Sequence, residues 1–416
     1  MDNYYNSDGF KHILQQYENM ADGQAGGFLD ADELTDIAEY YRAIGKNEEA
    51  DEVAEYTLSI FPGATGPLAF KARLALLIED NPKKADELAE QIADKTDLDY
   101  FYLKAEILLA TYRAEEANDF LEETFSNAVD EDDREDYILD AALLFADYNE
   151  IDYAEHWTRR STLTDDNDYK ELQGRILKGH GKYAESEKIF NELLDANPYA
   201  GPYWNQLAQN QFLRNNIQAS IDSSEFAIAI NPNDDEALLN KANGLFSLGN
   251  YDEALKYYMR YKEISPSSDT SLIDVTIGHL YLLKNDIAKA LQYYQESVRK
   301  SKDMEATFIH IAISVFDNGY VEFAYRLFSA YLSSMDEQWT FGYAYLARCC
   351  YELDKEAEYE LWLKIAVGRN PEECAEVLSD LYPEGTMPED YPGIPVIFPS
   401  QREQPGTPFP GEDSLA

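Results

Sequence analysis

The sequence predicts an all-α fold: a right-handed superhelix, or α-solenoid, of antiparallel helix pairs. Two observations predict it. Pro198, Pro232 and Pro266 recur at intervals of 34 residues. Each proline follows an alanine-rich and aromatic segment that has the pattern of two short helices. A fixed period of this length is typical of a helix–turn–helix array, in which each unit packs only on its neighbours.

The unit that ends at Pro232 shows the pattern most clearly. Residues of its first helix recur at helical spacing, namely Trp204, Leu207, Ala208 and Gln211. A polar turn at Asn215 and Asn216 follows, and the second helix carries Ser220, Ser224 and Ala227. A small residue early in the second helix allows the two helices to approach closely. The proline then ends the helix and begins the loop to the next unit.

Further units extend the array on both sides. The next unit has Leu238, Ala242, Leu245, Gly249, Tyr251, Ala254, Tyr258 and Pro266, and the preceding one has Gly181, Tyr183, Ser186, Phe190 and Pro198. The first clear unit has Ile37, Ala38, Tyr41, Gly45, Ala50, Ala54 and Pro62. Weaker units are anchored at their small position by Ala85, Ala117 and Ala154. Three more units follow after residue 270, which makes about ten over residues 31–371.

These residues resemble the tetratricopeptide repeat (TPR) family, in particular Gly249, Tyr251, Ala254, Tyr258 and Pro266. The resemblance implies that the first helix of each unit lines a concave face and that the second helix lies outside. It also implies a function: a partner segment binds in the concave groove.

The two ends differ from the repeats. Residues 1–30 are expected to be an N-terminal cap segment, with a short helix over residues 10–20 and a glycine-rich break after it. Residues 372–382 have the pattern of a C-terminal capping helix. Half of the 16 prolines lie in residues 383–416, which predicts a proline-rich extended tail. Its apolar part, residues 391–399, is expected to lie along the protein as a strap, with an exposed linear motif as the alternative.

Composition excludes several functions. The formal net charge of −46 argues against binding to nucleic acid and to anionic membranes. The three cysteines do not form a disulfide framework, and no signal peptide or membrane span is recognisable, so a cytoplasmic protein is expected. Metal-site and nucleophile motifs are absent from the sequence, and we expect neither catalysis nor a cofactor.

Applied to the repeat register, the resemblance implies that ten side chains point into the groove. They are Arg175, Lys178, Gln206, Gln209, Asn240, Asn243, His279, His310, Tyr345 and Arg348. The two glutamines and two asparagines form amide pairs on successive first helices, and amides can bind a peptide backbone through both donors and acceptors. The cations would favour an acidic ligand. The alternative is that Arg175 and Lys178 only neutralise nearby carboxylates.

The groove of the first half is expected to be different. The same register gives it apolar side chains, among them Phe70, Leu74, Tyr102, Leu103, Leu139 and Leu143. An apolar groove would take an amphipathic helix or a segment of the chain's own tail. The alternative is that the register is wrong by one residue in these weaker units.

The leading hypothesis is therefore a non-enzymatic scaffold that binds a protein or peptide segment in its groove. A second hypothesis is a self-associating or self-strapped structural protein, with its own tail or a second copy in the groove. A third is a surface or periplasmic repeat protein that binds saccharide. The sequence does not determine the partner or the oligomeric state.

Overall fold

The protein, represented by a computed structural model, is described over residues 2–5, 7–21, 27–265, 270–335 and 338–401. Within these ranges every regular element is a helix, which confirms the predicted all-α fold. Two compact units are present, Met1–Ser265 and Pro266–Ala416. In the same ranges, no helix has the combination of length and apolarity that crossing a bilayer requires.

A 3₁₀ turn at Glu131–Asp133 and sixteen α-helices lie in the described part of the first unit. They are α1 (Asp2–Tyr5), α2 (Asp8–Ala21), α3 (Ala31–Ala43), α4 (Asn47–Ile60), α5 (Thr65–Leu77), α6 (Pro82–Ala89), α7 (Leu98–Ala110), α8 (Ala114–Asn127), α9 (Arg134–Asp147), α10 (Ile151–Thr158), α11 (Asn167–Gly179), α12 (Tyr183–Ala196), α13 (Gly201–Leu213), α14 (Ile217–Ile230), α15 (Asp235–Ser247) and α16 (Tyr251–Ile264). From α3 onward they pack as seven consecutive pairs.

Seven helices lie in the described part of the second unit. They are α17 (Ser271–Leu283), α18 (Ile287–Lys300), α19 (Met304–Asp317), α20 (Val321–Tyr331), α21 (Tyr343–Glu352), α22 (Glu356–Arg369) and α23 (Pro371–Leu378). The first six pack as three pairs. Pro266, the third of the periodic prolines, lies outside the described residues.

A small residue near the start of the second helix is common to nearly every pair. The fourth residue of these helices is buried in all ten pairs: Ala50, Ala85, Ala117, Ala154, Ser186, Ser220, Ala254, Ala290, Ala324 and Tyr359. Ser186 shows what the position does, because its hydroxyl donates to the Gly174 carbonyl of the first helix at 2.6 Å. A Cβ atom on Gly174 would lie 2.7 Å from the Phe190 ring, so this pair requires glycine there.

The turn between paired helices has one conformation throughout the described residues. In each of the ten turns one residue has a positive φ: Gly45, Asp80, Tyr112, Asn149, Gly181, Asn215, Gly249, Asn285, Gly319 and Asp354. In the α15–α16 turn, the Asn250 amide donates to the Leu245 carbonyl at 2.9 Å, and the Gly249 amide donates to the Phe246 carbonyl at 2.9 Å. This is the Schellman pattern, which satisfies the last carbonyls of a helix and reverses the chain.

The N-terminal helix predicted over residues 10–20 is α2. Its Phe10 is buried and contacts Tyr5 and Tyr40, with ring centroids 4.9 and 5.0 Å apart. This contact attaches α2 to the first helix pair. The glycine-rich break lies mostly in residues 22–26, outside the described part of the chain.

The C-terminal segment packs on the last helix pair. After α23, 3₁₀ helices occupy Ser379–Leu381, Pro388–Gly393 and Pro399–Gln401. The prediction of an extended tail is therefore wrong for parts of this segment. Proline fixes φ near a value that a 3₁₀ turn also uses, so a proline-rich segment can form such turns. Residues 402–416 lie outside the described range.

Aromatic contacts hold this segment. Phe398 is buried against Tyr351 and Tyr359, with ring centroids 5.4 and 5.5 Å apart. Tyr382 and Tyr391 stack at 3.9 Å, and the Tyr382 hydroxyl lies 2.6 Å from that of Tyr359. Tyr359 thus occupies, in the last pair, the position that is small in the other nine, and it contacts the tail.

Replacing the turn glycine should test the left-handed conformation directly. Gly249→Ala is expected to cost about 1 kcal/mol, because an L side chain is disfavoured at positive φ while no atom lies near enough to clash. Gly368→Ala is the control, since Gly368 lies in helix α22 with equally open space and should be stabilised. Urea unfolding measures both, and equal effects would contradict the assigned turn.

Truncating Phe398 should test the contact between the tail and the last pair. Phe398→Ala is expected to destabilise the protein by about 3 kcal/mol, because a buried ring leaves a cavity. Its neighbour Ile397 is 65% exposed, so Ile397→Ala should change the stability by less than about 0.5 kcal/mol. A thermal melt of both variants gives the comparison; if they melt together, the tail is not bound as described.

Candidate partner-binding groove

Six of the ten predicted groove residues line a single pocket of about 480 Å³ in the first unit. Arg175 and Lys178 come from α11, Gln206 and Gln209 from α13, and Asn240 and Asn243 from α15. Each of these helices is the first of its pair, so a residue spacing of about 34 places equivalent side chains next to each other. Side chains far apart in sequence therefore converge on one concavity.

Lys178 links the first two helices of the pocket. Its ammonium donates to Gln206 Oε1 at 2.7 Å and to Gln209 Oε1 at 2.6 Å. Burial lowers the pKa of Lys178, and the nearby Arg175 charge lowers it further, whereas Glu236 opposes that shift. The ammonium is thus held by two uncharged oxygens in a partly desolvated position.

Arg175 is held by a carboxylate. Its guanidinium donates to Asp147 Oδ1 of α9 at 2.6 Å, and only 18% of the arginine side chain is exposed. The alternative noted from the sequence, that the cation neutralises a nearby carboxylate, therefore fits the contact between Arg175 and Asp147. Lys178 has no such direct contact with a carboxylate in the described residues.

Asn243 is oriented by the second helix of its own pair. The Tyr258 hydroxyl donates to Asn243 Oδ1 at 2.6 Å. Tyr258 is buried, and its burial raises the pKa of the phenol, so it stays a donor. Asn240 lies one turn earlier on α15, and its Nδ2 atom is buried without a hydrogen-bond partner among the described residues.

Glu236 supplies the negative charge at the α15 side of the site. Its carboxylate accepts from Gln209 Nε2 at 2.6 Å and from Asn205 Nδ2 at 3.5 Å. Burial raises the pKa of Glu236, and repulsion from Asp234 adds to the rise, whereas Lys178 opposes it. Lys178 and Glu236 are thus joined through the Gln209 amide.

Part of the pocket lining, here called the apolar wall, consists of apolar side chains. They are Ala146, Ile151, Tyr183, Phe212 and Leu213. Leu213 is 51% exposed, which leaves apolar surface available to a ligand. At Gly179 a Cβ atom would come within 2.5 Å of Ile151 Cγ1, so α11 ends on glycine to let Ile151 approach. The pocket therefore offers a polar wall and an apolar wall.

The other four predicted residues lie in the second unit. His279 Nδ1 lies 3.0 Å from Ser314 Oγ, and burial lowers the pKa of both His279 and His310. Tyr345 packs edge-on against Phe316 with ring centroids 5.5 Å apart. Their role in binding stays a prediction.

Arg348 contacts the C-terminal part of the same unit. Its guanidinium donates to Glu352 at 2.9 Å, to the Val377 carbonyl at 3.3 Å and to Asp380. These contacts join α21 to α23 and to the 3₁₀ turn that follows it.

The apolar groove expected in the first half is wrong for two of its six residues, Phe70 and Leu103, whereas the other four are partly or largely exposed. Leu103 has no exposed surface and Phe70 is 5% exposed, so both belong to the core between helices. Carboxylates on the first helices are exposed instead, including Asp99 and Asp140. Partial desolvation by the surrounding protein, and then repulsion from neighbouring acids, raise the pKa of both carboxyl groups. A register that is wrong by one residue, the alternative noted for these weaker units, is enough to exchange core and groove positions on a helix.

Sequence reasoning missed several residues of the pocket. Asp147 lies 28 residues before Arg175, and the repeat register could have located it on the adjacent first helix. Tyr258 and Glu236 could not be found this way, because their roles depend on side-chain directions between helices.

Comparisons with known proteins support the repeat. Residues 235–268 and 275–299 match the sequence model of the tetratricopeptide repeat. A stretch of 132 residues is 27% identical to anaphase-promoting complex subunit 7 of Dictyostelium discoideum; it covers 32% of this chain and 22% of that protein. The chain thus spans less than a quarter of the length of this relative.

A solved structure shares the fold at a TM-score above 0.5. The APC/C heterotetramer Cut9–Hcn1 aligns with a TM-score of 0.51 at 16% identity, covering 86% of this chain and 71% of that one. A tetratricopeptide repeat protein from Parabacteroides merdae aligns with a TM-score of 0.49 at 14% identity, covering 59% and 97%.

The raised pKa of Glu236 predicts a pH dependence. A carboxyl whose pKa is higher in the folded state contributes stability below its ordinary value of 4.5, and that contribution is lost as the pH rises through the raised pKa. Glu236→Gln removes this dependence and keeps an acceptor for Gln209. Its stability relative to the wild type should therefore increase between pH 5 and pH 8, as measured by denaturant unfolding. A constant difference across this range would contradict the assignment.

Proposed function

Because this chain is a tetratricopeptide-repeat protein, we propose that it is a non-enzymatic scaffold. It binds a segment of another protein in the pocket between α11, α13 and α15.

The convergence of six predicted residues in one pocket carries this proposal. An extended or helical segment has backbone amides and carbonyls as well as apolar side chains. The NH₂ groups of Gln206 and Asn243 can donate to the backbone carbonyls, because only the oxygens of these two amides are already hydrogen-bonded. The apolar surface of Phe212 and Leu213 can take the apolar side chains. A pocket with both walls suits a peptide better than a purely apolar or a highly charged molecule.

The relatives support the general role. Two of the matches are named as parts of a protein complex: the Dictyostelium protein is an anaphase-promoting complex subunit, and the structure with a TM-score of 0.51 is an APC/C heterotetramer. The stretch in common with the Dictyostelium protein is short, so the proposal takes from it only the function of holding other proteins.

Self-strapping is a second candidate, favoured by a separate observation. The Tyr351 hydroxyl donates to the Ile397 carbonyl at 3.0 Å, and the Ser400 amide donates to Asp354 at 2.8 Å. The tail thus occupies a surface of α21 and α22 in its own unit. This role is compatible with segment binding in the first unit.

A charge on the apolar wall should abolish partner binding. Leu213→Asp is expected to reduce the recovery of partner proteins from a lysate of the native organism at least about tenfold, because it places an unpaired carboxylate against an apolar ligand surface. Quantitative mass spectrometry of the captured proteins, followed by binding measurements with the purified partner, gives the readout.

Leu248→Asp is the matched control. Leu248 is 52% exposed, close to the 51% of Leu213, but it lies outside the pocket. It should leave recovery unchanged. Equal losses in both variants, or no loss in either, would contradict binding at this pocket.

A further inference from the structure

Tyr112 is the exception among the turn residues of the helix pairs. In the ten turns described above, the residue with a positive φ is glycine in four, asparagine in three and aspartate in two, and it is tyrosine in the α7–α8 turn, at φ 59°. A bulky L side chain is disfavoured in this left-handed conformation, whereas glycine and asparagine adopt it readily. The backbone of this turn therefore gains nothing from tyrosine.

The Tyr112 side chain does not stabilise the packing of the chain either. It is 96% exposed, and its ring and hydroxyl have no aromatic or hydrogen-bond partner among the described residues. A residue that is unfavourable for the backbone and makes no internal contact is best explained by a contact outside the chain. Tyrosine is one of the residues that contribute most to protein interfaces.

A pocket of about 410 Å³, here called the Tyr112 pocket, lies beside this residue. Thr111 and Arg113, on either side of Tyr112 in the chain, line it. Its apolar surface comes from Pro82 of α6, Ile107 and Leu108 of α7 and Phe120 of α8. None of these residues lines the pocket between α11, α13 and α15, so the two sites are separate.

The exposed apolar surface continues on the preceding helix pair. Leu77, the last residue of α5, is 58% exposed, and Ile78 after it is 40% exposed. Helix α5 packs on α7, and both residues lie just before a turn between paired helices, as Tyr112 lies in one. Packed helices are about 8–10 Å apart, which is close to the rise of seven residues in an α-helix, about 10.5 Å. One face of an amphipathic helix can therefore contact both pairs.

Cations line the Tyr112 pocket, although the chain as a whole is strongly acidic. Lys83, Lys104 and Arg113 lie there with a single carboxylate, whereas the whole chain has 34 basic and 80 acidic side chains. Lys104 donates to that carboxylate, Asp86, at 2.5 Å, and Arg113 is bound to a glutamate of α8. The ammonium of Lys83 lies 3.9 Å from Glu87, beyond hydrogen-bond distance, and its side chain is 87% exposed. Lys83 is therefore accessible to an acidic partner.

We propose that Tyr112 and the Tyr112 pocket form a second docking surface of this chain, which binds an amphipathic helix of a partner protein that carries acidic residues beside its apolar face. Tyr112 and the apolar lining contact the apolar face, and Lys83 attracts the acidic flank. A second copy of this chain is disfavoured as the occupant, because two chains of net charge −46 repel each other. The inference goes beyond the proposed function, since this surface shares no residue with the candidate groove.

A display library of helical peptides provides the probe. Each peptide has about 14 residues, or four helical turns. Leucine is fixed along one face, and the flanking positions vary among Glu, Lys, Gln and Ala. Peptides are selected on the full-length chain, and those that also bind Tyr112→Asn are removed. Fluorescence anisotropy then measures the affinities of synthetic peptides for each variant.

The selected peptides should carry more Glu than Lys beside the leucine face, and Tyr112→Asn should weaken their binding at least about tenfold. Tyr199→Asn is the matched control, because Tyr199 is 79% exposed and does not line the Tyr112 pocket. It should leave the affinity unchanged. Leu213→Asp should also leave it unchanged, which separates this surface from the candidate groove.

The melting temperature of Tyr112→Asn distinguishes a binding role from a structural one. Asparagine adopts the left-handed conformation more readily than tyrosine, and no internal side-chain contact is lost. The variant should therefore melt at the same temperature as the wild type or at a higher one. A lower melting temperature would show that Tyr112 stabilises the chain itself, and would contradict its assignment to a partner.

Reversing the charge of Lys83 tests the chemistry of the partner. Lys83→Glu should weaken binding of the selected peptides at least about fivefold at low ionic strength, and added salt should reduce this loss because it screens exposed charges. Lys188→Glu is the control, since the Lys188 side chain on α12 is 79% exposed and lies outside the pocket. It should change the affinity less than about twofold.

Peptides that need Tyr112 but show no excess of acidic residues, or bind Lys83→Glu as well as the wild type, would overturn the acidic partner. If no peptide distinguishes the wild type from Tyr112→Asn, the docking surface itself is overturned, and the proposed function is still tested separately by Leu213→Asp. A dimer in sedimentation that Tyr112→Asn dissociates would identify a second copy as the occupant and overturn the assignment to another protein.

Discussion

The close approach of the two helices in each pair is the constraint on which the rest of the structure depends. The contact between Ser186 and Gly174 shows how close the two helices are, because the short serine hydroxyl reaches the backbone carbonyl of the partner helix. At such a separation a small residue is favoured at the fourth position of the second helix, as in nine of the ten described pairs. The chain must also reverse within a few residues. The left-handed residue of each turn meets that second requirement. Equivalent positions of successive first helices therefore lie side by side, and this alignment creates the pocket.

Most of this framework can be predicted from the sequence. Small residues such as Ala117 and Ala154 mark the second helices even where other features of the repeat are weak, and all are buried. The constraint is local and steric, so it appears directly in residue size. The amide pairs on α13 and α15 follow from the same register, since a fixed period determines which positions share a face.

The chemistry of the groove is less accessible to sequence reasoning. Lys178 binds two glutamines of the next pair, whereas Arg175, one turn earlier on the same helix, binds an aspartate of the preceding pair. No spacing rule distinguishes these outcomes, because long side chains can reach either neighbour. In the early pairs the sequence register assigned Leu103 to the groove, whereas the structure buries it in the core. Periodicity locates a face of a helix more reliably than it locates the direction of a side chain.

Tyr359 also has a consequence for how such a chain can change in length. In the other nine pairs the fourth residue of the second helix is alanine or serine. Such a small residue leaves room for the next pair to pack on it: Asn210 of the following pair donates to the Ser186 hydroxyl at 2.9 Å. The last pair has a tyrosine there, covered by Tyr382 and Phe398. A duplicated hairpin inserted between internal pairs would meet a compatible surface. One inserted after residue 369 would have to displace the segment that carries Tyr382 and Phe398.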